Sequence, residues 1–157
     1  MITQLDKRTM LYHGSYCDVC APDISKCRRY KDFGQGFYLT TDLEQAKRFA
    51  EISYRKAAES GTLPLHSHNK FVSCFEYTPT PVLDIKIFET ADVEWLRCVV
   101  AHRRKRLFSE VTEEMRHKDI IGGKIANDNT NATITAYILG TYGKPGMSQA
   151  DKICIGF

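Results

Sequence analysis

The period of apolar and polar positions changes several times along the chain, and each change marks an element. Met10–Ser15 (MLYHGS) is a short apolar run ending at a glycine and predicts a strand. Residues 36–40 (GFYLT) are rich in β-forming side chains and predict a second strand. The period then becomes helical. Leu43, Ala46, Ala50, Tyr54 and Ala57 share one face, Thr41 with Glu44 three positions later has the form of a capping box, and Gly61 closes the element. Residues 70–77 (KFVSCFEY) predict a third strand, broken by Pro79 and Pro81. Residues 82–88 alternate, with Leu83, Ile85 and Ile87 against Asp84 and Lys86, and predict a fourth. Residues 91–108 predict a helix with Val93, Leu96, Val100 and Leu107 on one side. Residues 119–125 (DIIGGKI) predict a fifth strand. Ile134, Tyr137 and Ile138 predict a short helix after Asn129, and residues 148–157 the start of another.

Strands and helices therefore mix without a regular βαβ alternation and without internal repeats. That order predicts a single α+β domain over residues 1–157, built on a mixed or antiparallel sheet. With 43% hydrophobic residues, the chain can bury a core without a disulfide or metal staple. No run of eighteen apolar residues and no apolar signal core is present, so a cytoplasmic location is expected. A net charge of +3 is compatible with an anionic ligand but does not demand nucleic acid.

Of the six cysteines, Cys74 and Cys98 sit in apolar patterns and read as small buried hydrophobes. Cys17, Cys20 and Cys27 cluster; reduced thiols are the plain reading and a zinc-stapled interaction module the alternative. His66 and His68 lie in a linker without carboxylate or cysteine partners, so no metal is expected there. The basic run 102–106 (HRRKR) reads as a solvated helix face, with phosphate or nucleic-acid contact as its alternative. Trp95 reads as a core anchor.

Residues 32–41, DFGQGFYLTT, carry the densest chemistry. A dinucleotide fingerprint needs a third glycine and a preceding strand, and both are missing; no GK[ST] motif is present either. What is left is a glycine turn feeding a strand, with Phe37 or Tyr38 packed inward. Asp32 is read as shaping the turn or holding a ligand hydroxyl, and Thr40 as lining a pocket or capping the next helix. Upstream, His13 at a strand end beside Gly14 joins a hydrogen-bonding ring to a backbone that a ligand can approach closely.

LYHGS, then DFGQGFYLT, then a helix with Ala46 and Ala50, then DIIGGKIANDNT, taken in this order, resemble the His-Tyr-Glu branch of the ADP-ribosyltransferase superfamily. That branch includes poly-ADP-ribose polymerases and diphtheria-type toxins. The likeness is strongest to an uncharacterised bacterial domain family placed in that superfamily and covers roughly residues 11–130. It implies a split β-sheet flanked by helices, with NAD bound as substrate in a cleft between two small sheets. His13 would hold a ribose, Gly14 the nicotinamide carboxamide, and Tyr38 would stack on the nicotinamide ring, with Ser15, Gly36 and Thr40 around them. The reaction would be cleavage of the nicotinamide–ribose bond, with ADP-ribose passing to a macromolecule or to water. In bacteria such domains are often toxins or effectors.

The branch normally supplies a further Glu or Gln from a late strand. No such strand is evident in the sequence, and Gln149 reads as part of a helix or turn, so the chain is expected to stop before it. Asp128 is the acidic candidate left, with a turn or cap as its other reading. Hence a second expectation, a catalytically inactive domain that binds NAD or a protein partner. A shortened sheet also leaves an open edge and predicts a homodimer.

Overall fold

The computed structural model describes residues 8–63, 70–104, 106–126, 134 and 155–156. Its elements in chain order are β1 (Met10–Ser15), α1 (Leu43–Glu59), β2 (Phe71–Glu76), β3 (Ile85–Ile87), α2 (Val93–Arg103), α3 (Ser109–Arg116), β4 (Ile120–Lys124) and β5 (Ile155–Gly156). They form two small sheets. β1 pairs antiparallel with β2, and β4 pairs parallel with β3 and antiparallel with β5. The fold is α+β, as the order of elements predicts. No described helix is long and apolar enough to cross a membrane.

α1 starts at Asp42, whose carboxylate accepts from the N–H groups of Glu44 and Gln45 at 2.8 and 3.1 Å. The cap is thus Asp42 rather than Thr41, because a carboxylate one residue later reaches two of the free N–H groups of the first turn. The small residues Ala46 and Ala50 are buried and let the helix settle onto β1. At Gly14 the approach is backbone to backbone: a Cβ there would lie 1.9 Å from the Ala46 carbonyl oxygen and 2.7 Å from the Ala50 nitrogen.

The main apolar cluster lies around α2, where Trp95, Leu96, Cys98, Val99 and Val100 are all buried. Phe88, Met115 and Ala126 close over them, and Phe33 reaches in from the glycine stretch to stack on Phe88 at 6.1 Å. Trp95 is the anchor expected of it, and its indole N–H donates to the Lys124 carbonyl at 2.8 Å.

Several expectations fail for identifiable reasons. Residues 36–40 do not form a strand; only Thr40 pairs, in a two-bond bridge with Tyr12 at 2.7 and 2.9 Å. The carbonyl of Tyr38 is taken by a side chain instead of a ladder. β3 is shorter than the alternation suggests, since Leu83 donates to the Thr80 carbonyl in a turn and Val82 is 87% exposed. The helix predicted over 91–108 ends at Arg103, and α3 starts only at Ser109, because Arg106 and Phe108 turn the chain with φ of 70° and 52°. α3 has only Val111 and the buried Met115 as apolar residues, too few to register as a period. Cys98 is buried but Cys74 is exposed, although the register places it on the same sheet face as Gly14. At the C-terminus residues 155–156 are strand, not helix, in keeping with the β-branched Ile155.

Replacing Gly14 by Ala should lower stability by about 3 kcal/mol, since a backbone contact cannot swing aside. Chemical denaturation would measure this; an unchanged midpoint would mean that α1 does not sit on β1 as described.

Candidate functional site

β1 sets the geometry. In an antiparallel strand, alternate residues direct their peptide groups to opposite edges. Tyr12 gives both its N–H and its C=O to Thr40, away from β2. Two residues on, the N–H and C=O of Gly14 project from that same edge, past the end of the bridge. His13 lies between them, opposite Ser73 of β2.

The His13 ring is fixed on two sides. Its Nδ1 is 2.8 Å from the Tyr38 carbonyl oxygen, which can only accept, so Nδ1 carries the proton. The ring packs on Phe37 with centroids 4.4 Å apart, and Phe37 meets Phe75 edge to face at 5.5 Å. Burial lowers the imidazole's affinity for a second proton; the bond to Tyr38 opposes this, and nearby Lys31 adds to the lowering. His13 is therefore neutral near pH 7, and its Nε2 is an acceptor. Towards a hydroxyl, Nε2 can therefore accept but not donate.

Tyr38 is bound into its own turn. Its hydroxyl accepts from the Phe33 N–H and donates to the Gly34 carbonyl, each at 2.9 Å. Burial raises the phenol pKa well above its ordinary value, so the donor is permanent. Gly34 has φ of +87°, a conformation that permits this tight return. The Lys31 ammonium sits 4.6 Å from the centre of the Tyr38 ring, so a cation already holds one face.

A cleft of about 510 Å³ lies between the two sheets, with Leu11 of β1 on one side and Ile120 and Ile121 of β4 on the other. Gly36 and Tyr38 line it. His13 and Gly14 do not; they stand beside it, tied in by the His13–Tyr38 bond. Ser15 is buried, with its Oγ directed at Cys17. Thr40 is buried too, donating to Gln45 and accepting from the Asp42 N–H at 3.1 Å, so it braces the entry to α1 instead of lining a pocket. Asp128, His66 and His68 lie outside the described residues.

Asp32 belongs to the scaffold. One of its oxygens takes the Nε–H of Arg103 at 2.7 Å, and the other takes the Ala126 N–H at 2.7 Å. Arg103 also donates to the Ala126 carbonyl at 3.1 Å. The basic run is thus not one solvated face: Arg103 turns inward, and His102 packs against Gly34. Among the described residues no three His, Cys, Asp or Glu side chains converge on a metal position. Cys20 donates to Asp18 and Cys27 to the Asp23 carbonyl, which gives the zinc module no geometry. Nothing in the local pattern points to Lys31 over Tyr38, nor to Gln35, whose amide donates to the carbonyls of Ile24 and Cys27 at 3.0 Å each.

The family described as Protein of unknown function (DUF3990) matches residues 9–153. The chain belongs to this family. Neither a curated protein nor a solved structure matches it. The DUF3990 match takes in β1, the glycine stretch and β4, and hence all the site elements described above.

Two outcomes follow. Asp32→Asn should cost about 2 kcal/mol, less than the roughly 3–5 kcal/mol of a fully buried pair because Arg103 is partly exposed. An unchanged denaturation midpoint would show the clamp to be dispensable. His13 and His102 are both lowered, by burial first, from an ordinary value of 6.5. Between 6.5 and their folded values the unfolded chain holds more protons, so stability falls as the pH drops through this window. The midpoint should decrease on acidification and do so less in a His13→Gln, His102→Gln variant; equal slopes would rule out these two histidines as the source.

Proposed function

We propose that this DUF3990 chain binds NAD across the Gly14 edge of β1 and cleaves its nicotinamide–ribose bond, passing ADP-ribose to a macromolecule or to water. The observation that carries this is the Gly14 peptide. Its N–H and C=O offer one donor and one acceptor at strand spacing, which suits a primary carboxamide with the complementary pair. The neutral His13 adjoins it with Nε2 ready to accept from a ribose hydroxyl. Apolar residues line much of the intersheet cleft, and Tyr38 contributes an aromatic face.

Loss of nicotinamide leaves positive charge on the ribose, so such a site works by positioning and electrostatics rather than by a strong base. His13 would fix the sugar, Gly14 would fix the leaving group, and Asp128 is the proposed carboxylate for the developing cation. A second reading, NAD binding without turnover, draws on Lys31. A pyridinium ring must use the other face of Tyr38 or displace that ammonium, since like charges repel. The homodimer also stays a proposal, supported by the outer edge of β2, which no described strand covers; light scattering giving a monomer mass at high concentration would dismiss it.

The test is calorimetric titration with NAD, with nicotinamide release followed in the same samples. Saturable binding that weakens about tenfold in His13→Ala, the loss of roughly one hydrogen bond to a buried partner, is expected. Tyr38→Phe separates the ring from the turn: binding should survive if the ring face matters and the fold holds. Release of nicotinamide distinguishes the enzyme from the silent binder. Absence of saturable NAD binding in folded protein would sink both.

A further inference from the structure

On the other side of the glycine turn from the cleft lies a second open pocket, of about 360 Å³. Arg29, Arg106, His102 and Gln35 line it, together with Ser109 at the start of α3. No Asp or Glu does. The ion pairs of the described residues use other arginines, namely Arg48, Arg97, Arg103 and Arg116. Two guanidinium groups thus border one small cavity in whose wall the described residues place no carboxylate.

The helix start adds to this. α3 follows Phe108, which is in a left-handed conformation and makes no side-chain cap bond. The Phe108 carbonyl takes the N–H groups of Val111 and Thr112, leaving those of Ser109 and Glu110 as the uncapped end of the helix. The Glu110 carboxylate would ordinarily offset that positive end. It is drawn off to Arg97, 3.1 Å away. Gln35 fixes the remaining wall, its amide holding the carbonyls of Ile24 and Cys27 and so fastening the loop that carries Arg29 to the glycine turn.

We infer that this pocket binds the phosphate of a phosphate ester, through Arg29, Arg106 and the first N–H groups of α3. Guanidinium groups match phosphate oxygens in planar, two-bond geometry, and the helix start supplies backbone donors with a favourable dipole. The site does not depend on the NAD reading. Its phosphate comes either from a dinucleotide reaching over Gln35 from the neighbouring cleft, which Gln35 also lines, or from a different phosphate ester.

The experiment is amide NMR during titration with inorganic phosphate and then pyrophosphate, with sodium chloride at equal ionic strength as reference. Saturable shifts at Ser109 and Glu110 are expected, stronger with pyrophosphate. Arg29→Gln and Arg106→Asn should each weaken binding about tenfold, as loss of a charge-assisted bond does. Asn is chosen at 106 because Arg106 has φ of 70° and Asn tolerates it. An otherwise unchanged spectrum shows that each variant is folded. Shifts no different from those of chloride, or variants that bind as the parent does, would overturn the site. Displacement of pyrophosphate by NAD and ADP-ribose identifies the dinucleotide as the source; phosphate binding that neither displaces keeps the site and assigns it to another ester.

Discussion

The buried Asp32 carboxylate is the constraint on which the rest depends. It meets Arg103 at the end of α2 and the Ala126 N–H just beyond β4, so the glycine stretch is bolted to the half of the fold that holds the main apolar cluster. At the far end of that stretch, Thr40 bridges to Tyr12 in the other sheet. Ten residues therefore join two small sheets that share no strand. That ion pair and that bridge hold the two ends of the stretch beside the cleft.

Within that frame the glycine turn is held by side chains. Tyr38 closes it from inside, and His13 and His102 flank it. Both imidazoles use Nδ1 on a main-chain carbonyl, of Tyr38 and of Cys98, at 2.8 Å. Both are kept neutral mainly by burial. The turn is thus bordered by two acceptor nitrogens and, on its outer side, by Arg29 and Arg106, which form no ion pair among the described residues. Acceptors on one side suit sugar hydroxyls, while cations on the other suit phosphate. This division of chemistry is what a nucleotide presents.

The sequence made β1, α1, β2 and β4 legible because each carries a strong period or β-branched run, bounded by glycine or proline. It also placed Trp95 and Cys98 in the core. Residues 36–40 misled, since GFYLT has strand composition while the contact that governs it, His13 with Tyr38, lies 25 positions away. α3 was missed because a mostly polar eight-residue helix leaves only Val111 and Met115 to mark its buried side. His13, Gly36 and Tyr38 were legible as neighbours. That Thr40 and Ser15 turn into the scaffold was not, because a hydroxyl's partner depends on packing and not on spacing. The roles of Asp32 and Arg103 were hidden for a related reason: a turn Asp and one member of a basic run look ordinary until they meet.

The close seating of Gly14 against Ala46 and Ala50 also bears on the order of assembly. Synthesis runs from the N-terminus, and domains tend to organise as they emerge. β1 leaves the ribosome well before its partner strand, because all of α1 comes between them. α1 is the first surface that β1 can meet, and the missing side chain at 14 lets the two dock as bare backbone. A strand–helix pair formed this early shelters one face of a lone strand during the interval when an unpaired edge is most open to other chains.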